Sequence, residues 1–192
     1  EEGDLEMYPW PEKAGQSVAR NPLEDAYKLI NDNIQERLFT RNYIAISIPK
    51  LPGFEYQLNT GYQNNKHDGG SYWDRNSFWG KQDNGRANIW SNVHRSFLIE
   101  NIAQYEREFG KNNLFVTALY SYEQRINSDI SASDKQFLND VRTYYQVGEG
   151  EQLIMSKSYA SQYLTSIMGR INYTYDSRYL LTTTLRRDGY SG

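Results

Sequence analysis

Five aromatic side chains lie in or beside a stretch rich in Asn, Asp and Gly at residues 64–88, and their chemistry suits the binding of sugars. They are Tyr72, Trp73, Phe78, Trp79 and Trp90. The C–H faces of sugar rings stack on aromatic faces, while neighbouring amides and carboxylates bind the hydroxyl groups. The five residues are therefore candidates for contact with a ligand or a partner protein. The alternative is that the rings pack against one another or against a neighbouring loop.

Other residues with catalytic or metal-binding potential lack the required spacing. Asp68, Asp74 and Asp83 share the same stretch, but a glycosidase needs two carboxylates held at a set separation. These residues also lack the twelve-residue spacing of an EF-hand. His67 and His94 are far apart in a chain without Cys, which disfavours a zinc site. We therefore predict no catalytic residue, no metal site and no cofactor, and we expect that the protein is not an enzyme.

Composition narrows the class of protein further. The 192 residues carry a net charge of -3 with no basic run, so we predict no binding to nucleic acid. No stretch has the roughly 18 consecutive apolar residues of a transmembrane helix. The low mean hydropathy is typical of a soluble protein, but transmembrane β-barrels alternate apolar and polar residues and also average as polar. The 17 Tyr residues suit interfaces and membrane belts.

Period-two alternation is the main structural signal, and the elements that position the candidate residues must be strands. Phe54, Tyr56, Leu58, Thr60 and Tyr62 alternate with polar residues, which is typical of a sheet with one apolar and one polar face. We predict six strands, at about residues 43–48, 54–63, 89–108, 114–125, 160–175 and 179–187. Residues 1–36 are expected to form an irregular segment or extracellular loop, with a short helical turn or strand near 23–30.

The connections between these strands alternate between short and long. Residues 49–53, 109–113 and 176–178 are predicted to be short turns, and residues 64–88 and 126–157 to be long loops, with one helical turn at 133–138 capped by Ser133. Outer-membrane β-barrels have short periplasmic turns and longer extracellular loops, whereas a soluble β-sandwich has no reason to collect its long loops at one edge. The pattern favours the barrel and leaves the sandwich open.

Alternation in the last two strands separates a lipid face from a lumen face. Ile167, Ile171, Leu181 and Leu185 are predicted to face lipid, with Tyr175 and Tyr179 beside the turn as part of an aromatic girdle. The predicted lumen-facing residues are Arg170, Asn172, Arg186 and Asp188. These four would contact a plug or the solute path, or they would form a solvated wall with ion pairs across the strands.

Residues 164–189 resemble the barrel signature of the SusC/RagA family of TonB-linked outer-membrane transporters. The family pattern is similar to S-x-x-G-R-x-N-Y-x-Y-x-x-R-Y-L-L-T-x-x-x-R-x-D-G, and the matching residues are Ser166, Gly169, Arg170, Asn172, Tyr173, Tyr175, Arg178, Tyr179, Leu180, Leu181, Thr182, Arg186, Asp188 and Gly189. Weaker similarity at 37–43, 51–54 and 109–114 extends the resemblance to most of residues 37–189. The family usually continues Asp-Gly-Ser-Ser, and here Tyr190 follows Gly189 instead.

The resemblance implies an all-β fold, an antiparallel up-and-down meander of about six strands within a 22-stranded transmembrane β-barrel. It implies import of oligosaccharide or peptide through a plugged barrel in the outer membrane of a Gram-negative bacterium. The implied partners are a SusD-like surface lipoprotein, the TonB complex acting through the plug, and outer-membrane lipid. The alternatives are a soluble β-sandwich carbohydrate-binding module and a siderophore or vitamin TonB-dependent receptor, and the signature at 169–189 argues against the second.

A full barrel of this kind needs more residues than this chain has. At about 10 residues per strand, 22 strands require roughly 220 residues. We therefore expect residues 37–189 to be part of a barrel and residues 190–192 to begin a truncated loop. The plug and its TonB contact would lie outside this chain.

Overall fold

Six long β-strands make up most of the computed structural model, which describes residues 22–192. The elements in chain order are α1 (Pro22–Lys28), β1 (Leu29–Ser47), β2 (Phe54–Trp73), α2 (Gly80–Asp83), β3 (Arg86–Phe109), β4 (Asn112–Lys135), a 3₁₀ turn (Thr143–Gln146), β5 (Ile154–Tyr175) and β6 (Tyr179–Ser191). The described strands form one sheet in the order β1-β2-β3-β4-β5-β6. This confirms the predicted antiparallel meander. Within residues 22–192, no helix is both long enough and apolar enough to cross a membrane.

Two of the short turns have the backbone geometry that tight hairpins require. Gly110 has a φ of +62° between β3 and β4, where a two-residue loop favours glycine at its first position. Asp176 and Ser177 have φ values of +49° and +53° between β5 and β6, and the Arg178 N–H donates to the Tyr175 carbonyl at 3.0 Å. Both central residues of a type I′ turn have positive φ, so this turn matches the right-handed twist of its strands.

The strands extend well into the segments predicted to be long loops. The connections shrink to residues 74–85 and 136–153, because β2 continues to Trp73 and β4 continues to Lys135. The predicted helical turn capped by Ser133 is therefore wrong, and a 3₁₀ turn occurs later in the same connection. Backbone ladder hydrogen bonds form whatever the side chain, so a run of Asn, Asp and Gly can continue a strand once a neighbour pairs with it.

Both chain ends of the predicted barrel also differ from the sequence prediction. β1 begins at Leu29, inside the segment 1–36 that was expected to be irregular, while residues 1–21 lie outside the described residues. Tyr190 and Ser191 pair with Leu164 and Tyr163 in the ladder between β5 and β6 instead of beginning a loop. Pairing with a regular neighbour again explains why the strand continues.

The chain divides into two compact units. The described part of the first comprises residues 22–36, Lys66–Val93 and Ser128–Ser158. The second comprises Arg37–Asn65, His94–Asn127 and Tyr159–Gly192. The first unit contains α1, α2, the 3₁₀ turn and both long connections, and the second contains the short turns.

Only the first unit has a cluster of buried apolar side chains among the described residues. Tyr72, Ala87 and Phe137 form its centre. Ile30, Tyr144 and Val147 pack against them, so β1, β2, β3 and the connection at 136–153 meet around one small core. This core fixes the position of that connection on the sheet.

Candidate functional site

Tyr72 is a core residue of the first unit rather than a ring presented to a ligand. Its side chain is only 2% exposed and packs against Phe137, with ring centroids 5.9 Å apart. Its hydroxyl donates to Asp140 Oδ1 at 2.5 Å and accepts from Gln146 Nε2 at 3.2 Å. The prediction that Tyr72 contacts a ligand therefore fails, because the ring that alternation places on this face is covered by the connection.

Asp140 ties the connection at 136–153 to the end of β2. Besides Tyr72, it accepts hydrogen bonds from the Arg75 backbone N–H at 3.1 Å and from Arg75 Nε at 2.9 Å. Burial alone would raise the pKa of Asp140, but the hydrogen bonds from Tyr72 and Arg75 outweigh it and hold the pKa below its ordinary value. Burial and the bond to Asp140 raise the pKa of the Tyr72 hydroxyl. The charged carboxylate and the neutral phenol therefore stabilise each other.

A second carboxylate, Asp134, organises the other end of the same connection. It is fully buried, and its Oδ2 accepts backbone N–H bonds from Gly148 and Gly150 at 2.9 Å each. Its Oδ1 accepts from the N–H groups of Lys135 at 2.9 Å and Gln152 at 3.2 Å. No local pattern indicates this role, because Asp134 looks like any polar residue in a run of Ser, Asp and Lys.

Tyr144 covers a glycine on the same face of β2. A Cβ built on Gly70 would lie 2.3 Å from the Tyr144 ring, so only glycine at position 70 lets the ring lie on the strand. The Tyr144 hydroxyl donates to Asp32 Oδ2 at 2.6 Å, and this bond is the main cause of its raised pKa. The preceding residue, Thr143, has a φ of +51°, which is unusual for a β-branched side chain.

Trp73 and Trp90 lie on the opposite face of the sheet from Tyr72. The Arg86 guanidinium lies 5.6 Å from the Trp73 ring centroid. The Trp90 and His67 rings meet in an edge-to-face arrangement, with centroids 6.5 Å apart. Because successive side chains of a strand point to opposite faces, Tyr72 and Trp73 separate although they are adjacent in sequence.

Phe78 and Trp79 lie in the connection between β2 and β3. Their rings meet edge to face with centroids 5.0 Å apart, and Trp79 is 49% exposed. The five predicted aromatic residues therefore occupy three places, namely the core (Tyr72), the opposite sheet face (Trp73 and Trp90) and the connection (Phe78 and Trp79). The structure brings no more than two of them together.

The acidic residues considered at the start are each bound to a different partner. Asp68 accepts from Ser91 Oγ at 2.7 Å and pairs with Lys66. Asp83 pairs with Lys135 Nζ at 2.8 Å, and Asp74 Oδ1 accepts the Asn76 N–H at 2.6 Å. Within the described part of the chain, no group of three or more His, Asp or Glu residues is arranged to hold a metal ion.

In the second unit, the four predicted lumen-facing residues share one face of β5 and β6. The register pairs Arg170 with Thr184 and Asn172 with Thr182. Arg170 Nε donates to Thr184 Oγ1 at 3.0 Å, and Thr182 Oγ1 donates to Asn172 Oδ1 at 3.0 Å. Asp188 accepts from Ser166 Oγ at 2.5 Å and from Arg186 Nε at 2.9 Å. Each of the four thus has a partner in a polar ladder across the two strands.

The opposite face of β5 and β6 is apolar and open to solvent. Ile167 is 60% exposed, and Leu181 and Leu185 are 62% and 79% exposed. The Tyr175 and Tyr179 rings lie beside the turn with centroids 6.4 Å apart. The separation of the two faces follows the predicted alternation.

Comparison with known proteins gives relatives in sequence and in structure. No protein-family model matches the chain. TonB-dependent receptor P39 of Formosa agariphila is 31% identical over 176 residues, covering 89% of this chain and 16% of the relative. TonB-dependent receptor P3 of the same organism is 27% identical over 173 residues, covering 88% of this chain and 17% of the relative. The chain therefore spans about a sixth of the length of these curated relatives.

Solved structures of similar fold agree with the sequence matches. The RagAB peptide importer in the 'open-open' state matches with a TM-score of 0.82 and 17% identity, covering 98% of this chain and 21% of that chain. The RagAB peptide transporter matches with a TM-score of 0.79 and 17% identity, covering 90% of this chain and 19% of that chain. The sequence similarity to TonB-dependent receptors and the fold shared with the RagAB transporters together support a SusC/RagA-type barrel segment.

Proposed function

We propose that this chain forms part of the barrel wall of a TonB-dependent outer-membrane transporter, and that the transporter imports oligosaccharide or peptide through a plugged barrel. The observation that carries the proposal is the 31% identity to a TonB-dependent receptor across 89% of the chain. The RagAB peptide importer has the same fold over 98% of the chain. The proposed location is the outer membrane of a Gram-negative bacterium.

The two faces of β5 and β6 support a position in lipid. The exposed leucine and isoleucine side chains form the kind of outward apolar band that contacts acyl chains in outer-membrane barrels. The polar ladder through Arg170, Asn172 and Asp188 lies on the other face. It would border the lumen, where it would meet the plug or the solute path.

The proposed partners act at different parts of the whole protein. A SusD-like surface lipoprotein would meet the extracellular connections, for which residues 74–85 and 136–153 are the candidates in this chain. The connection at 136–153 supports this role because it is held firmly by Asp134 and Asp140 while Leu138 and Val141 are 89% and 84% exposed. The TonB complex would act through the plug.

Uptake by cells that carry the full-length gene tests the proposal. We expect nutrient uptake in the wild-type strain, and loss of that uptake both when the gene is deleted and when the TonB complex is inactivated. The nutrient is found by growing the wild-type strain and the gene-deletion strain on single oligosaccharides and on peptide mixtures. Growth that is equal on every carbon and nitrogen source, with the protein absent from the outer-membrane fraction, would reject transport.

A further inference from the structure

Trp73 and Trp90 stand on one face of the strand pair β2–β3, separated by a pair of small polar residues. Asn88 Nδ2 donates to Ser71 Oγ at 3.2 Å, and Arg86 lies against Trp73. These contacts set an antiparallel register in which Ser71 faces Asn88 and Trp73 faces Arg86. The two tryptophans are thus four residues apart along the pair, which is about 13 Å.

A glycine on β2 allows the Trp90 ring to lie on the sheet. A Cβ built on Gly69 would be 2.3 Å from Trp90 Cζ2 and 2.6 Å from the Asp32 carbonyl oxygen. Any larger residue at position 69 would therefore displace the ring. The His67 and Trp90 rings are inclined at 66° with centroids 6.5 Å apart, and Trp90 is half-buried, so part of its surface stays accessible.

The groups around these two rings are hydrogen-bonding and mostly uncharged. His67 Nε2 lies 3.2 Å from Asn33 Oδ1, and the half-buried Asn88 lies between the tryptophans above the buried Ser71. Within residues 22–192, the cation in contact with these rings is Arg86, which lies over Trp73. Amide and imidazole groups beside an aromatic face match a ring that has C–H groups on its face and hydroxyls at its edge.

We infer that this tryptophan strip, formed by Asn33, His67, Trp73, Asn88 and Trp90, binds a neutral oligosaccharide. The two rings stack on separate sugar units, while the Asn88 amide between the rings and the Asn33 and His67 side chains beside Trp90 bind sugar hydroxyls. A peptide is the less suitable ligand, since its charged ends and side chains would find no carboxylate and no cation among these five residues and only Arg86 beside them. The inference narrows the proposed function from oligosaccharide or peptide to oligosaccharide, and in that sense it rests on that function.

Equilibrium binding to the detergent-solubilised full-length protein tests the strip independently of transport. The probes are an array of neutral oligosaccharides and, separately, a tryptic digest of casein. We expect binding to neutral oligosaccharides that Trp90→Ala and Trp73→Ala each weaken by about tenfold, the loss of one ring-stacking contact. Trp90→Phe, which keeps an aromatic face, should retain most of the affinity, and Gly69→Ala should weaken binding by displacing the Trp90 ring.

Trp79→Ala is the matched control, because it removes a tryptophan from the connection between β2 and β3 without touching the strip. Its affinity should equal that of the wild type. The strip is rejected if no neutral oligosaccharide binds, if the casein digest binds instead, or if Trp79→Ala weakens binding as much as Trp90→Ala. Normal binding in a protein that fails to support uptake would reject the proposed transport function and leave the strip in place.

Discussion

Each of the two units of this chain is stabilised internally by a different kind of contact. The first has buried aromatic residues at its centre and two carboxylates, Asp134 and Asp140, that bind the backbone or side chains of a connection. In the ladder between β5 and β6, the second unit depends on repeated cross-strand pairs with an exposed apolar face behind them. The stability of the first unit therefore depends on a few specific side chains. The stability of the second depends on the polar or apolar character of a whole sheet face.

Asp134 should be the most sensitive residue of the first unit. Asp134→Ala leaves four backbone N–H donors without their acceptor, and we expect the free energy of local opening to fall by at least about 3 kcal/mol, because even one hydrogen bond to a charged group contributes about 1.5–3 kcal/mol. The population of the open state, and with it the exchange rate of these amides, should rise by at least roughly a hundredfold. Hydrogen exchange of the amides at 136–153 in the full-length protein measures the change.

Asp129→Asn is the control for that measurement. Asp129 is exposed and accepts a single bond, from Ser158 Oγ at 3.0 Å, so its loss should leave exchange at 136–153 almost unchanged. Equal protection in Asp134→Ala and Asp129→Asn would show that the connection is held by its apolar contacts alone. The contrast between the two units would then lose its main support.

Leu181 and Thr182 test the second unit, because they are neighbours on β6 with opposite faces. Arg at a lipid-facing position costs about 2–4 kcal/mol at the middle of the bilayer, whereas substitutions on the lumen face are tolerated. We therefore expect Leu181→Arg to reduce the amount of folded full-length protein in the outer membrane severalfold and Thr182→Arg to have little effect. The folded fraction is measured by gel electrophoresis of heated and unheated samples, since folded and heat-denatured barrels migrate differently. An equal loss in both variants would contradict the face assignment.

The sequence predicted the second unit better than the first, and the reason is physical. Alternation is a local property, so Arg170, Asn172, Arg186 and Asp188 could be assigned to one face of β5 and β6 from the sequence alone. The core of the first unit joins Tyr72 to Phe137 and Asp140, which are more than 60 positions away. No local pattern encodes such a contact, and the Asn- and Gly-rich composition around Tyr72 is typical of a loop.

Glycine has two structural roles in this chain, in a turn and inside a strand, and the sequence alone does not distinguish them. Gly110 marks a turn, as its position between two alternating runs predicts. Gly69 and Gly70 also looked like loop residues, but they lie inside β2 and make room for the Trp90 and Tyr144 rings. Glycine in a strand often marks a close approach by another group, and only the packed structure shows which group that is.

Protonation of Asp140 at acid pH should destabilise the first unit. We expect this effect to be smaller than the effects of Asp134→Ala and Leu181→Arg. The folded state lowers the pKa of Asp140 from its ordinary value of 3.8. The stabilisation from this carboxylate is therefore complete above that value and is lost as the pH falls through the lower, folded pKa. We expect pepsin to cut the full-length protein within residues 136–153 only as the pH falls below about 4, when the Asp140 carboxylate is protonated.

Tyr72→Phe shows whether the phenol contributes to that transition. It removes the donor to Asp140 and leaves both Arg75 bonds in place, at a cost of about 1 kcal/mol. With one donor fewer, the pKa of Asp140 is lowered less, so cleavage at 136–153 should begin at a higher pH than in the wild type. An unstructured peptide of the same sequence corrects for the pH dependence of pepsin itself. Identical cleavage profiles for the two proteins would mean that Arg75 alone sets the pKa of Asp140, and that Tyr72 holds the connection only through its contact with Phe137.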